Sequence, residues 1–166
     1  RRFLARVSLS HRPAESGIVP HEMKTTPLRL ISLSLITLLV IVLYGQTIGF
    51  LFFLDDAPHF QWLVNQPFAR MWINSDGFPL YRPATFFVWQ VVHSLAGPSP
   101  FFLHLLSVIL HLSNAILVSR LATRLSGEER AGLWSGLIYA AFPFSYGAVV
   151  LVAAQFHLWQ AFGLLL

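Results

Sequence analysis

The chain has 166 residues, 55% of them apolar and only 11% charged, with a formal net charge of +4 and no cysteine. That balance excludes an ordinary soluble domain, and the lack of thiols excludes a disulfide framework or a thiolate metal site. The few basic residues flank apolar runs and form no patch that could track phosphates, which excludes nucleic acid as a partner.

Residues 1–22 mix Arg1, Arg2, Arg6, Arg12, Pro13, Glu15, Gly17 and Pro20 without an amphipathic period, and disorder is expected there. Arg1-Arg2 invites a twin-arginine export reading, but polar and charged residues follow where such a signal needs apolar ones. The sequence starts without methionine and ends in the apolar "AFGLLL", so a piece of a longer chain is expected, with Met23 as a natural start. Residues 30–54 carry no charge. At about 1.5 Å per residue they can cross a hydrocarbon layer of roughly 30 Å with some tilt. A cleaved signal peptide would have a shorter apolar region and a small-x-small site before Asp55. Lys24 and Arg29 flank the near end, which puts the N-terminus in the cytoplasm and Asp55 outside.

From residue 55 to 82 the chain turns polar and aromatic, and Pro58, Pro67, Asp76-Gly77 and Pro79 break any long helix. Trp62, Phe68, Trp72, Phe78 and Tyr81 suit an external loop lying at headgroup level. The charge-free stretch 83–119 is divided by "GPSP" at 97–100. Before the divider, a helix would reach roughly 21 Å, short for a crossing, whereas 101–119 is a full span. If only the second piece crosses, Arg120, Arg124 and Arg130 fall on the cytoplasmic side with Lys24 and Arg29; if both crossed, the charge rule would be violated. Residues 84–96 therefore read as an interfacial or re-entrant helix. "TRLSGEERAG" is a short cytoplasmic turn, and a third crossing begins near residue 131 and meets Pro143 as a kink or turn. Whether 149–166 forms a fourth helix stays open. The expected fold is all-α: a polytopic transmembrane bundle with a cytoplasmic segment 1–29, spans near 30–54, 101–123 and 131–152, and an external loop 55–100 carrying a short interfacial helix.

The chemistry-bearing residues gather around that loop. Asp55 and Asp56 stand where the first span leaves the bilayer, and a carboxylate that loses hydration there becomes a better base. The plainer alternative is two acids ending a helix in solvent. The pair lacks further oxygen ligands in register, so a divalent cation is possible but not indicated. His104, Ser107, His111 and Asn114 fall on one stripe of the second span, a polar face that should look into the bundle. Hydrogen bonds that glue helices explain it more simply than contact with a donor substrate, and about 10 Å of axial separation argues against His104 and His111 sharing a metal.

"FLDDAPHF", then "YRPATFFVWQVVHSLAGPSPFFLHLLSVILHLSNAILVSRLATRL", then "AGLWSGLIYAAFPFSYGAVVLVAAQFHLWQAF" resemble the amino-terminal part of GT-C-type membrane glycosyltransferases. The similarity is greatest to the branch with protein O-mannosyltransferases and their tetratricopeptide-repeat relatives. It covers roughly residues 30–166 and lies in the order of the elements. The resemblance implies an integral, multi-pass enzyme of the bacterial inner membrane or endoplasmic reticulum. Such an enzyme moves a sugar from a polyprenyl-phosphate donor to an acceptor protein or glycan on the non-cytoplasmic face, with membrane lipid around it. It implies Asp55 as general base, with Asp56 the next choice. Arg82 is the nearby cation for the donor phosphate, with a headgroup-binding or snorkelling arginine as the alternative. Gln155 and His157, in "AAQFHLWQ", join His104, His111 and Asn114 as the possible substrate or bundle face. Many relatives carry an acid at the position of His157 and some near Gly147, so a different sugar or an inactive protein is compatible with this pattern. No tetratricopeptide pattern is visible, and no cofactor is specified. A transporter or flippase whose path is lined by the acids and the polar stripe is the rival from another class, and a non-catalytic scaffold is the third.

Overall fold

The computed structural model describes residues 27–73 and 80–166. The expectations for Met23, Lys24, the N-terminal disorder and the 76–79 turn lie outside the described residues. The described chain is all-α: α1 Pro27–Tyr44, α2 Asp56–Val64, α3 Pro83–Ala96, α4 Pro100–Ser126, α5 Glu129–Ala141, α6 Ser145–Val150 and α7 Phe156–Leu165. Among the described residues two helices, Pro27–Gly49 and Pro100–Ser126, are long and apolar enough to cross a membrane.

Local chemistry explains the boundaries. Prolines open α1, α3 and α4, where the missing N–H costs nothing because the first turn has no intrahelical acceptor for it. Gly97 at φ 71° and Gly127 at φ 74° close α3 and α4 in conformations that a side chain would strain. Inside α1 the hydroxyls of Ser32 and Thr37 bond back to the carbonyls of Leu28 and Leu33, so an apolar helix satisfies its few polar groups internally. The stretch expected to cross at 131–152 is two helices, α5 and α6, parted by Phe142-Pro143-Phe144. Pro143 has no N–H to continue the ladder. After α6, a 3₁₀ turn at Val152–Ala154 leads into α7.

The central contact is between α4 and α5. Gly132, Gly136 and Ala140 present a small-residue stripe on α5, and a methyl group on Gly132 would fall 2.7 Å from the Ser119 carbonyl oxygen. The backbones approach that closely only because the side chains are absent, the usual basis of helix association in lipid. Ile36 of α1 and Ser119 of α4 both flank Gly136, while Tyr44 meets His111 with ring centres 4.8 Å apart. Progress along α1 from Ile36 to Tyr44 therefore runs backwards along α4, and the two helices are antiparallel. This direction puts Arg29, Arg120, Arg124 and Arg130 at one end of the bundle and Asp55, Asp56 and Arg82 at the other.

Two cores follow. Ile36, Val40, Tyr44, Val108, Ala140, Val149 and Leu158 fill the first, between α1, α4, α5, α6 and α7. Phe60, Leu63, Met71, Phe86, Trp89, Leu103, Val152 and Ala153 fill the second, at the aspartate end. Withdrawing a side chain of this size from water stabilises by about 1.5–3 kcal/mol. The second core fixes α2 and α3 over the start of α4 and over residues 152–153.

Candidate active site

The two aspartates are placed by a sharp reversal after α1. Leu54 sits at φ 50°, a left-handed conformation that a bulky residue adopts only under constraint, and Asp55 and Asp56 follow immediately. Their environments then diverge. Asp56, the first residue of α2, is fully buried. Its Oδ1 accepts the N–H of Ala153 at 2.6 Å, and its Oδ2 receives the Phe53 N–H at the long distance of 3.5 Å. Burial pushes its carboxyl above the ordinary value, and the N–H groups of Ala153, Phe53 and Val152, together with His104, pull the other way. Asp55 is exposed and makes no capping bond; its backbone carbonyl, not its carboxylate, takes the ring nitrogen Nδ1 of His59.

Arg82 reaches the same short segment from the other side. Its Nη1 donates to the Ala153 carbonyl at 2.8 Å, and its guanidinium carbon lies 3.6 Å from the centre of the Phe156 ring. Asp56 and Arg82 thus hold the N–H and the carbonyl of one residue, Ala153. Burial lowers the Arg82 pKa, and the negative charge of Asp55 opposes that shift; the guanidinium stays charged in either case.

His104, Ser107, His111 and Asn114 are all fully buried or nearly so and face the bundle. His104 lies close enough to Asp56 to feel its charge, and neither ring nitrogen has a hydrogen bond of good geometry. His111 Nε2 meets the Ala140 carbonyl at 3.1 Å, and its ring stacks on Tyr139. Asn114 Nδ2 donates to the Leu158 carbonyl at 2.9 Å. Gln155 is the hub. Its Oε1 accepts the indole N–H of Trp89 at 2.9 Å and that of Trp159 at 3.4 Å, while Nε2 donates to the Leu103 carbonyl at 3.1 Å and to Ser107 Oγ at 2.8 Å. His157 is exposed and lines an open groove of roughly 490 Å³ with Tyr139, Phe142, Phe144 and Leu151. The structure therefore brings Asp55, Asp56, Arg82 and His104 to one place, makes His111, Asn114 and Gln155 interhelical fasteners, and puts His157 on the neighbouring groove.

Over 96 residues, 58% of this chain, the sequence is 26% identical to a mouse protein O-mannosyl-transferase, TMTC2. The chain spans only 12% of that protein's length. No family model matches the chain, and no solved structure matches it.

Sequence reasoning overlooked Phe156 and the pairing of Gly132 with Gly136. The second carried a readable signal, two glycines four apart in an apolar helix. Phe156 carried none, because its partner is 74 positions away. Among the described residues no three His, Asp or Glu side chains gather as a metal site.

Proposed function

We propose that this chain is part of an integral, multi-pass membrane glycosyltransferase that moves a sugar from a polyprenyl-phosphate donor to a hydroxyl of a protein or glycan acceptor on the non-cytoplasmic face. The observation that carries the proposal is the exposed Asp55 carboxylate within charge range of Arg82, at the end of the bundle opposite the four arginines. The distant similarity to a protein O-mannosyl-transferase supports the same reaction class. The opposite placement of arginines and acids agrees with the bias of basic residues toward the cytoplasmic side.

In this mechanism Asp55 takes the proton of the acceptor hydroxyl as its oxygen bonds to the anomeric carbon. The bond from that carbon to the phosphate oxygen breaks, and Arg82 stabilises the released phosphate charge. Asp56, fully buried where an acceptor hydroxyl does not reach, is assigned no proton transfer and holds the 152–154 turn on which Arg82 rests. A full-length Asp55→Asn variant tests this. Sugar transfer from a polyprenyl-phosphate donor should fall by about 10²–10⁴-fold, the usual contribution of a general base. Unchanged turnover would remove Asp55 from the mechanism.

A further inference from the structure

An arginine that must meet a phosphate needs its donor edge aimed as well as its charge present. Arg82 stands just outside α3 at φ −137° and ψ 60°, where no regular element restrains it. Holding so long a side chain in one rotamer costs conformational entropy. Two contacts on one short segment oppose that cost: the 2.8 Å bond to the Ala153 carbonyl and the stacking on Phe156.

The segment is itself fixed from three directions. Asp56 takes the Ala153 N–H, and Gln155 ties the next turn to Trp89 of α3 and to Leu103 and Ser107 of α4. The His157 ring centre lies 3.7 Å from that of Phe156. Phe156 is therefore held against both Arg82 and its chain neighbour His157.

We propose that Phe156 is the positioning residue for Arg82, a fixed aromatic shelf that keeps the guanidinium flat and leaves its remaining N–H edge free for the two oxygens of a phosphate monoester. The chemistry favours a ring over a carboxylate in this role. A ring face attracts the cation without using any of its five N–H donors, whereas an acid would occupy two of them. This inference rests on Arg82 as the phosphate-binding group.

The test is binding to the full-length protein in nanodiscs, with undecaprenyl phosphate, uncharged undecaprenol and phosphatidic acid as probes. Phe156→Leu should weaken undecaprenyl phosphate about 2- to 30-fold, the range that cation–π contacts span, and leave undecaprenol unchanged. Phe156→Tyr and Phe156→Trp should restore binding, which a general packing defect would not predict. A parallel loss for phosphatidic acid supports the same shelf acting on a lipid headgroup phosphate. If Arg82→Gln weakens binding while Phe156→Leu does not, or if neither aromatic variant restores it, the shelf is overturned and the phosphate role of Arg82 survives. If Arg82→Gln changes nothing, that role falls and the shelf falls with it.

Discussion

Asp55 and Asp56 are neighbours in sequence, and removing either carboxylate should lower sugar transfer, but only the loss of Asp56 should also lower stability. In Asp56→Ala the Ala153 N–H loses its 2.6 Å acceptor inside a closed core. Orphaning a buried donor costs about 1–3 kcal/mol, with charged acceptors toward the upper end. Relief of the desolvated carboxylate offsets part of that. A net loss of about 1–2 kcal/mol follows, or a 5- to 30-fold rise in the unfolding constant. The freed residue is also the one whose carbonyl fixes Arg82, so sugar transfer should drop with stability. Asp55→Ala removes an exposed carboxylate that makes no cap bond, so transfer should be lost while the unfolding midpoint stays where it was. Denaturant titration of the full-length protein in mixed micelles, with transfer measured on the same preparation, separates the two. Equal destabilisation by both variants, or a larger effect from Asp55→Ala, would refute the division of labour.

Burial raises the Asp56 pKa, so between the ordinary value of 3.8 and the raised one the folded state binds more protons than the unfolded chain. Stability should therefore fall as pH rises through that window, and Asp56→Asn should flatten the slope; a slope that persists in the variant has another source. Gly132→Ala places a methyl group 1.9 Å from Thr123 Oγ1 and 2.7 Å from the Ser119 carbonyl, and the backbone oxygen cannot rotate away. It should cost about 1–3 kcal/mol by thermal unfolding, while Gly147→Ala, with nothing within 4 Å, is the matched control and should be near neutral. Gln155→Leu leaves the Trp89 indole N–H without its 2.9 Å acceptor and should destabilise by about 1–3 kcal/mol. Trp89 fluorescence would also report the loss, and an unshifted spectrum with full stability would show that Gln155 is no hub.

Much of the scaffold was legible because its causes are local. A charge-free run of helix-compatible residues makes α1, although the α-helix ends at Tyr44 and a 3₁₀ turn at Gly45–Gly49 follows, short of the expected end at residue 54. Pro83 and Gly97 bracket α3 by fixing or freeing φ at single positions. The stripe from His104 to Asn114 needs only the 100° step of a helix to become a face. The division of 131–152 was less legible: Pro143 marked a kink or turn, but whether the chain resumes the same helix depends on what residues 145–154 pack against.

For the candidate site the sequence determined the inventory and the order: two acids after a long apolar helix, an arginine before a short one, a glutamine near the end. It also determined that positive charge sits beyond the opposite ends of the same helices. Only the tertiary structure decided which acid is buried, because that choice depends on the N–H of Ala153, 97 positions away. It alone decided that Arg82 lies on Phe156 and that Gln155 is saturated by partners on α3 and α4. Local propensity acts through bonds between near neighbours, whereas hydrogen-bond satisfaction and burial are properties of the closed structure.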